Sequence, residues 1–214
     1  MSIDRFKYPR TPHLPWSPGV SEDDIRVADV KMFVGKDVVV TEKMDGENTT
    51  MYTDYIHARS IDGRSHPSRN HVKQLHATIA HLIPMGWRLC GENLYAQHSI
   101  IYKNLRSYFY LFSVWDEKNN SLSWDEVVEW GQLFSLELPR VLYRGIWDQE
   151  LVQSIEVDPV HMEGYVVRNA ESFAYGDFIR NIAKWVRKDH VQTDEHWMYS
   201  EIIPNQLGSN SDIV

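Results

Sequence analysis

The sequence predicts an α+β fold in which antiparallel β-sheets are flanked by helices. Three observations predict it. Short runs of β-branched and aromatic residues recur between turn residues from position 37 onward. Only three stretches switch to helix-like spacing or capping, which reads as helices packed outside sheets. The composition, 43% hydrophobic and 24% charged over 214 residues, is that of a chain that buries a core rather than one that stays disordered.

The elements follow in order. Residues 7–19, KYPRTPHLPWSPG, hold four prolines, which preclude a regular helix or central strand and leave an extended arm lying on the body. His13 and Trp16 of this arm read as surface packing in preference to site residues. DVVVTEK at 37–43 reads as a strand ending in a turn at Asp45-Gly46. ENTTMYT and YIHARS follow as two more strands, which suggests an antiparallel meander. Val72, Leu75, Ile79 and Leu82 then form a helical stripe over 68–83, with Ser68 as N-cap and Pro84 and Gly86 as the stop. Strands return at 87–95 (WRLCGENLY) and 106–116 (RSYFYLFSVWD), followed by a turn at 118–120. Ser123 and Glu126 have capping-box spacing ahead of a helix, WDEVVEWGQLF. A strand RVLYRG, a helix at 147–155, a strand MEGYVVR and an imperfectly alternating last strand within 181–191 complete the pattern. No internal repeat interrupts it, so the expectation is one domain over 1–214 with an N-terminal arm at 1–20.

Composition narrows the function. The chain carries 22 Lys and Arg against 30 Asp and Glu, a net charge of −8, so any polyanion must be held by a local cationic patch. A single cysteine, Cys90, excludes a disulfide framework and a multi-cysteine zinc site and fits a reducing compartment. The N-terminus lacks a secretory apolar run and nothing approaches a membrane span, so the expected location is cytoplasmic with no membrane partner. His66, His71, His76 and His81 recur every five residues, a spacing that scatters them around a helix. P-loop and Rossmann glycine patterns are absent from the sequence.

The sharpest local feature is Thr41-Glu42-Lys43-Met44-Asp45-Gly46-Glu47-Asn48, a lysine at the end of an apolar strand just before a glycine turn. The strand fixes the backbone and the turn opens space for a ligand. A lysine in such a place becomes a nucleophile only when its pKa is lowered; otherwise it is a solvated hairpin residue.

Further segments follow in a definite order: ARS at 58–60, GENLY at 91–95, YFYLFSVWD at 108–116, EGYVVR at 163–168 and AKWVRK at 183–188. Taken with KMDGEN at 43–48, this series resembles the covalent nucleotidyltransferase superfamily of polynucleotide ligases and mRNA capping enzymes. It is most similar to the ATP-dependent RNA ligases, which share the Glu-Lys pair at 42–43 and Asn48. The matches run from 41 to 188. Only 26 residues follow Lys188, too few for the OB-fold domain that commonly ends DNA ligases and capping enzymes. One position departs from the family pattern: where a second lysine is common in the last motif, this chain has Val186, followed by Arg187 and Lys188.

The resemblance implies an ATP-grasp-like ligase domain. It implies Lys43 as the residue that takes AMP from ATP, with Mg²⁺ or Mn²⁺ as the metal. It also implies a nucleotide site made of Thr41, Glu42, Asn48, Arg59, Glu92, Phe112, Glu163 and Lys184. In that site Glu92 would meet the ribose, Phe112 stack on adenine, Glu42 read the adenine amino group, Glu163 hold the metal and Lys184 meet the α-phosphate. The implied partner is RNA bearing 5′-phosphate and 3′-hydroxyl ends, with room for a separate RNA-binding or repair partner. A loop running into a helix start favours anions, which makes Arg64, Arg69 and Lys73 candidates for the RNA surface, with Arg187 and Lys188 as further candidates. Two alternatives remain at this level: a minimal DNA ligase acting on nicks, and a nucleotide- or RNA-binding module without catalysis.

Overall fold

The computed structural model describes residues 4–21, 24–61, 66–188 and 202–208. Along the chain lie β1 (Asp37–Lys43), β2 (Glu47–Met51), β3 (Ile56–Ala58), α1 (Asn70–Ile79), β4 (Arg88–Asn93), β5 (Phe109–Trp115), β6 (Asn120–Ser121), α2 (Trp124–Phe134), β7 (Val141–Ile146), α3 (Gln149–Gln153), β8 (Gly164–Asn169), β9 (Phe173–Ala174) and β10 (Ile182–Val186). They form two antiparallel sheets, one ordered β10-β8-β1-β7 and one ordered β3-β2-β4-β5-β6-β9. The α+β expectation holds.

The meander expected from 37 to 60 does not form. β2 and β3 pair as a hairpin, but β1 belongs to the other sheet. The Asp45-Gly46 turn therefore carries the chain from one sheet to the other. Glycine is required there by close approach: a Cβ at Gly46 would stand 2.4 Å from the Asn93 carbonyl oxygen. This crossing puts Lys43 where the two sheets face each other.

Apolar packing secures that arrangement. Val38 and Val40 of β1 are fully buried with Leu14, Phe33 and Val152 against the four-stranded sheet. Leu89, Leu111, Val114, Val127 and Phe134 bury α2 on the six-stranded one. Between them Cys90, Trp115, Phe173, Phe178 and Ile182, drawn from both sheets, share one cluster. Arg168 of β8 is buried beside it and donates to the Phe112 carbonyl (3.3 Å) and the Leu122 carbonyl (2.8 Å), tying the sheets together.

The capping box is as the sequence indicates, with Ser123 and Glu126 bonding reciprocally at the start of α2. The helix before it is shorter than expected. Pro67–Arg69 form a 3₁₀ turn, α1 begins at Asn70 without a side-chain cap, and the Ser68 hydroxyl instead hydrogen-bonds His66 Nδ1 (2.7 Å). At Ala80 the helix tightens to 3₁₀, which rotates Leu82 out to 54% exposure while Ile83 is buried. The last strand ends at Val186, and residues 189–191 of the expected stretch lie outside the described residues.

The arm is not surface packing. Its residues run beside β10, with Lys184 N–H donating to Pro12 O and Leu14 N–H to Lys184 O, both at 2.8 Å. His13, Leu14 and Ser17 are buried, and Trp16 donates to the Tyr165 hydroxyl (3.0 Å). Prolines at 9, 12, 15 and 18 suit an added edge, because an edge residue facing outward needs no N–H donor.

Candidate active site

Lys43 is the last residue of β1 and stands opposite Gly164 of β8. Glu163, one residue earlier, is buried, and its carboxylate forms an ion pair with the Lys43 ammonium. Burial works to lower the lysine's pKa. The carboxylates of Glu163, Glu92 and Asp45 outweigh it and hold the ammonium above its ordinary value.

A cleft of about 690 Å³ opens from this pair between the sheets. Thr41, Glu42, Lys43, Asn48, Arg59, Glu92, Phe112 and Lys184 all line it. Its two walls are written in the strand register: Asn48 of β2 pairs with Glu92 of β4, and Lys184 of β10 pairs with Val166 of β8.

The electrostatics are those of a charged site partly removed from water. Burial pushes the Glu92 carboxyl up to about 8, with Lys43 opposing and Glu163 and Asp45 adding to the rise. One of its oxygens accepts from Gly46 N–H (3.2 Å). Burial, followed by the charge of Lys43, lowers the Lys184 pKa, although Asp24 lies 3.7 Å from its ammonium and pulls the other way. Burial, then nearby Arg10, lowers that of Arg59. The Glu42 carboxyl is raised by burial and restrained by Arg140, whose Nε donates to it at 3.2 Å. Asn48 Oδ1 is buried without a hydrogen-bond partner, an acceptor left open on the cleft wall.

Phe112 is half-buried and meets Tyr8 edge-on, ring centroids 5.1 Å apart. Tyr8 comes from the arm, as does Thr11, and both line the cleft together with Trp124 and Arg168. Sequence reasoning missed all four, and Asp24 as well. A signal for the arm was present: prolines every third residue leave Tyr8, Thr11, Leu14 and Ser17 at the same spacing, the threefold period of an extended proline-type helix.

The candidate RNA-facing cations separate. Arg64 lies outside the described residues. Arg69 turns into the cleft wall, where its Nε donates to both carboxylate oxygens of Glu47 (3.0 and 2.8 Å). Lys73 sits on α1, beyond the cleft lining. Lys188 is exposed. Val186, at the position where the family commonly has a lysine, is buried, its N–H bonded to the Ser17 hydroxyl (3.0 Å). Arg187 does not line the cleft; its backbone donates to Glu163 O (3.0 Å) and its guanidinium to Ser99 Oγ (3.4 Å).

Asp45 anchors the turn after Lys43. Its carboxylate accepts from Ile100 N–H (2.7 Å) and Ser99 Oγ (2.8 Å), and its own N–H donates to the Tyr102 hydroxyl (3.0 Å). Glu163 and Asp45 thus face the lysine as carboxylates, and the Glu163 carboxylate is a hard-oxygen donor of the kind that suits Mg²⁺ or Mn²⁺. Among the described residues no cluster of three or more His, Cys, Asp or Glu side chains is arranged to hold a metal alone. An ion here would be held by one or two carboxylates together with water and ligand oxygens. No helix among the described residues is long and apolar enough to cross a membrane.

A family model described as RNA ligase matches residues 36–186, most of the chain, and the chain belongs to the RNA ligase family. No curated protein matches it. Among solved structures it is similar to a Naegleria gruberi RNA ligase with pyrophosphate, at 18% identity and a TM-score of 0.54, over 74% of this chain and 51% of that one. It is similar to a putative ATP-dependent DNA ligase from Aquifex aeolicus at 18% identity and a TM-score of 0.56, over 86% and 50%. An archaeal ATP-dependent RNA ligase matches at 14% identity and a TM-score of 0.54, over 85% and 48%. The chain therefore spans about half the length of these structures, and the likeness establishes a shared fold.

Proposed function

We propose that this protein is an ATP-dependent RNA ligase that joins 5′-phosphate and 3′-hydroxyl ends through AMP carried on Lys43. The observation that carries this reading is a single cleft lined both by Lys43, which is paired with Glu163, and Lys184, and by the aromatic side chains of Tyr8, Phe112 and Trp124. A nucleotide has the same layout, charged at the phosphates and flat at the base. Phe112 offers the base an apolar face, Glu42 an acceptor for the adenine amino group, and Asn48 Oδ1 an acceptor for a hydroxyl donor. Lys184 and Arg59 are cleft-lining cations available to the phosphates.

The amine of Lys43 must lose its proton before it can attack. Its lone pair then forms a bond to the α-phosphorus, and the bond to the pyrophosphate oxygen breaks, which leaves a lysine–AMP phosphoramidate. Glu163, already hydrogen-bonded to Nζ, is placed to take that proton. A divalent cation bound at Glu163 would neutralise phosphate oxygens and compete for the carboxylate that keeps Lys43 charged. AMP then passes to a 5′-phosphate, and a 3′-hydroxyl displaces it.

Incubation with α-labelled ATP and magnesium or manganese should give a covalently labelled protein whose label survives alkali but is released by acid, and Lys43→Arg should abolish the label because guanidinium stays protonated. Wild-type labelling by that variant refutes the assignment. The likeness to a putative DNA ligase favours a second reading, nick sealing in DNA, which matched RNA and DNA strands separate in a sealing assay.

A further inference from the structure

The chemistry requires two ways to reach Lys43. Once AMP is on the lysine it fills the nucleotide cleft, yet a second substrate must still contact the same phosphorus. A second cleft, of about 1090 Å³, adjoins the first and shares Glu42, Met44 and His98 with it. Met44, in the turn that follows Lys43, borders both. One wall is the segment 97–106, the other is formed by residues 137–140 and 159–161.

We propose that this second cleft receives the 5′-phosphate end of the RNA strand, with Lys103 and Arg106 as its phosphate contacts. The proposal rests on the ligase reading and names the surface that reading lacks. Lys103 and Arg106 are both exposed, and neither has a side-chain ion pair among the described residues. Arg140 also lines the cleft but is paired with Glu42, and Glu137 is the second acidic residue there. Set against Glu42 and Glu137, the three cations Lys103, Arg106 and Arg140 leave the lining with a net excess of one positive charge, carried on the exposed pair of 97–106. On a chain of net charge −8 such a local excess is what a polyanion needs.

The wall is held in place before anything binds. Asn205 is buried, and its side chain donates to Leu94 O (2.8 Å) and Ala96 O (3.2 Å) and accepts from Tyr102 N–H (2.9 Å). Neighbouring backbone adds Gln97 N–H to Ile203 O, Gln206 N–H to Tyr102 O and Leu105 N–H to Gln206 O. The 202–208 segment thus clasps the base of 97–106. That same wall reaches the Lys43 turn through Ser99, Ile100 and Tyr102, which hold Asp45. A strand end docked on Lys103 and Arg106 is thereby placed in a fixed relation to Lys43, which is what in-line transfer demands.

The test uses the whole chain and a short 5′-phosphorylated, 3′-blocked RNA followed by fluorescence anisotropy, with sealing measured on pre-adenylated RNA. The double variant Lys103→Glu, Arg106→Glu should weaken RNA binding at least tenfold and slow sealing in step, while label transfer from α-labelled ATP stays within twofold of wild type. The milder Lys103→Gln, Arg106→Gln pair guards against misfolding. It should flatten the slope of log K against log salt by about 1.4, two single-strand phosphate contacts at about 0.7 each. Binding and sealing within twofold of wild type in the charge-reversal variant overturn the proposal, as does loss of label transfer together with RNA binding. A wild-type chain that binds RNA at this cleft but takes no label from ATP refutes the ligase reading and leaves the binding surface standing.

Discussion

Replacing Glu92 by glutamine should stabilise the protein increasingly, relative to wild type, as pH rises, and the size of the effect follows from the site. Glu92 has its carboxyl raised from 4.5 to about 8 by burial and by the neighbouring Glu163 and Asp45. A folded state that keeps a proton which the unfolded chain releases loses stability as pH climbs between those two values. Below about 4.5 both states hold the proton, and no penalty exists. The slope in between is about 1.4 kcal/mol per pH unit, so from about pH 5.5 to 7.0 the wild type should lose about 2 kcal/mol that the Glu92→Gln variant does not. Glu92 is half-buried and borders an open cleft, so solvent screening trims this to about 1 to 2 kcal/mol. For a chain of this size that is about 3 to 6 °C in Tm. Thermal melts of wild type and Glu92→Gln at about pH 5.5 and 7.0 check it: the variant's advantage should be larger at the higher pH by that amount. A gap of equal size at both values, or one that shrinks as pH rises, refutes the assignment of a proton to Glu92.

Glu42 presents a carboxylate to the cleft, which accepts from the adenine amino group but not from a guanine carbonyl, so labelling with ATP should exceed labelling with GTP by more than tenfold; equal use removes Glu42 from base selection. Asn205→Ala deletes a buried amide and strands the Leu94 and Ala96 carbonyls and the Tyr102 N–H, so urea unfolding should show a loss of about 2 to 3 kcal/mol, and a change below about 0.5 kcal/mol would mean that the 202–208 clasp is not formed in solution.

Most strands were legible because each is a short β-rich run bounded by turn residues, and β1, β4, β5 and β8 fall inside the stretches their composition marks. What the sequence did not disclose is which sheet a strand joins. VVVTEK and ENTTM are separated by three residues, the spacing of a hairpin, yet the close approach of Gly46 to Asn93 sends them to different sheets. Of the candidate site residues, Lys43, Arg59, Glu92, Phe112 and Lys184, far apart in the chain, line one cavity. The partners of those residues were not readable. Asp24 beside Lys184 and Asn205 under the 97–106 wall come from segments with no periodic apolar pattern to place them, and the threefold spacing that includes Tyr8 does not say which ring it meets. Their positions depend on backbone pairing with distant strands, which leaves little trace in local composition.

The acidity of the chain and its polyphosphate-sized cleft are not in conflict once the ion pairs are considered together. Lys43 is paired with Glu163, Lys184 lies beside Asp24, Arg69 grips Glu47 and Arg140 leans on Glu42. Four cations around the cleft are therefore neutralised by the protein's own carboxylates when no nucleotide is present. Gathering such cations without partners would destabilise the fold by mutual repulsion and desolvation. Internal carboxylates remove that penalty and contribute to the −8 net charge at the same time. On the proposed ligase reading, phosphates would enter by exchange, each taking a cation from a carboxylate, and Glu163 would be released next to the lysine that must surrender a proton.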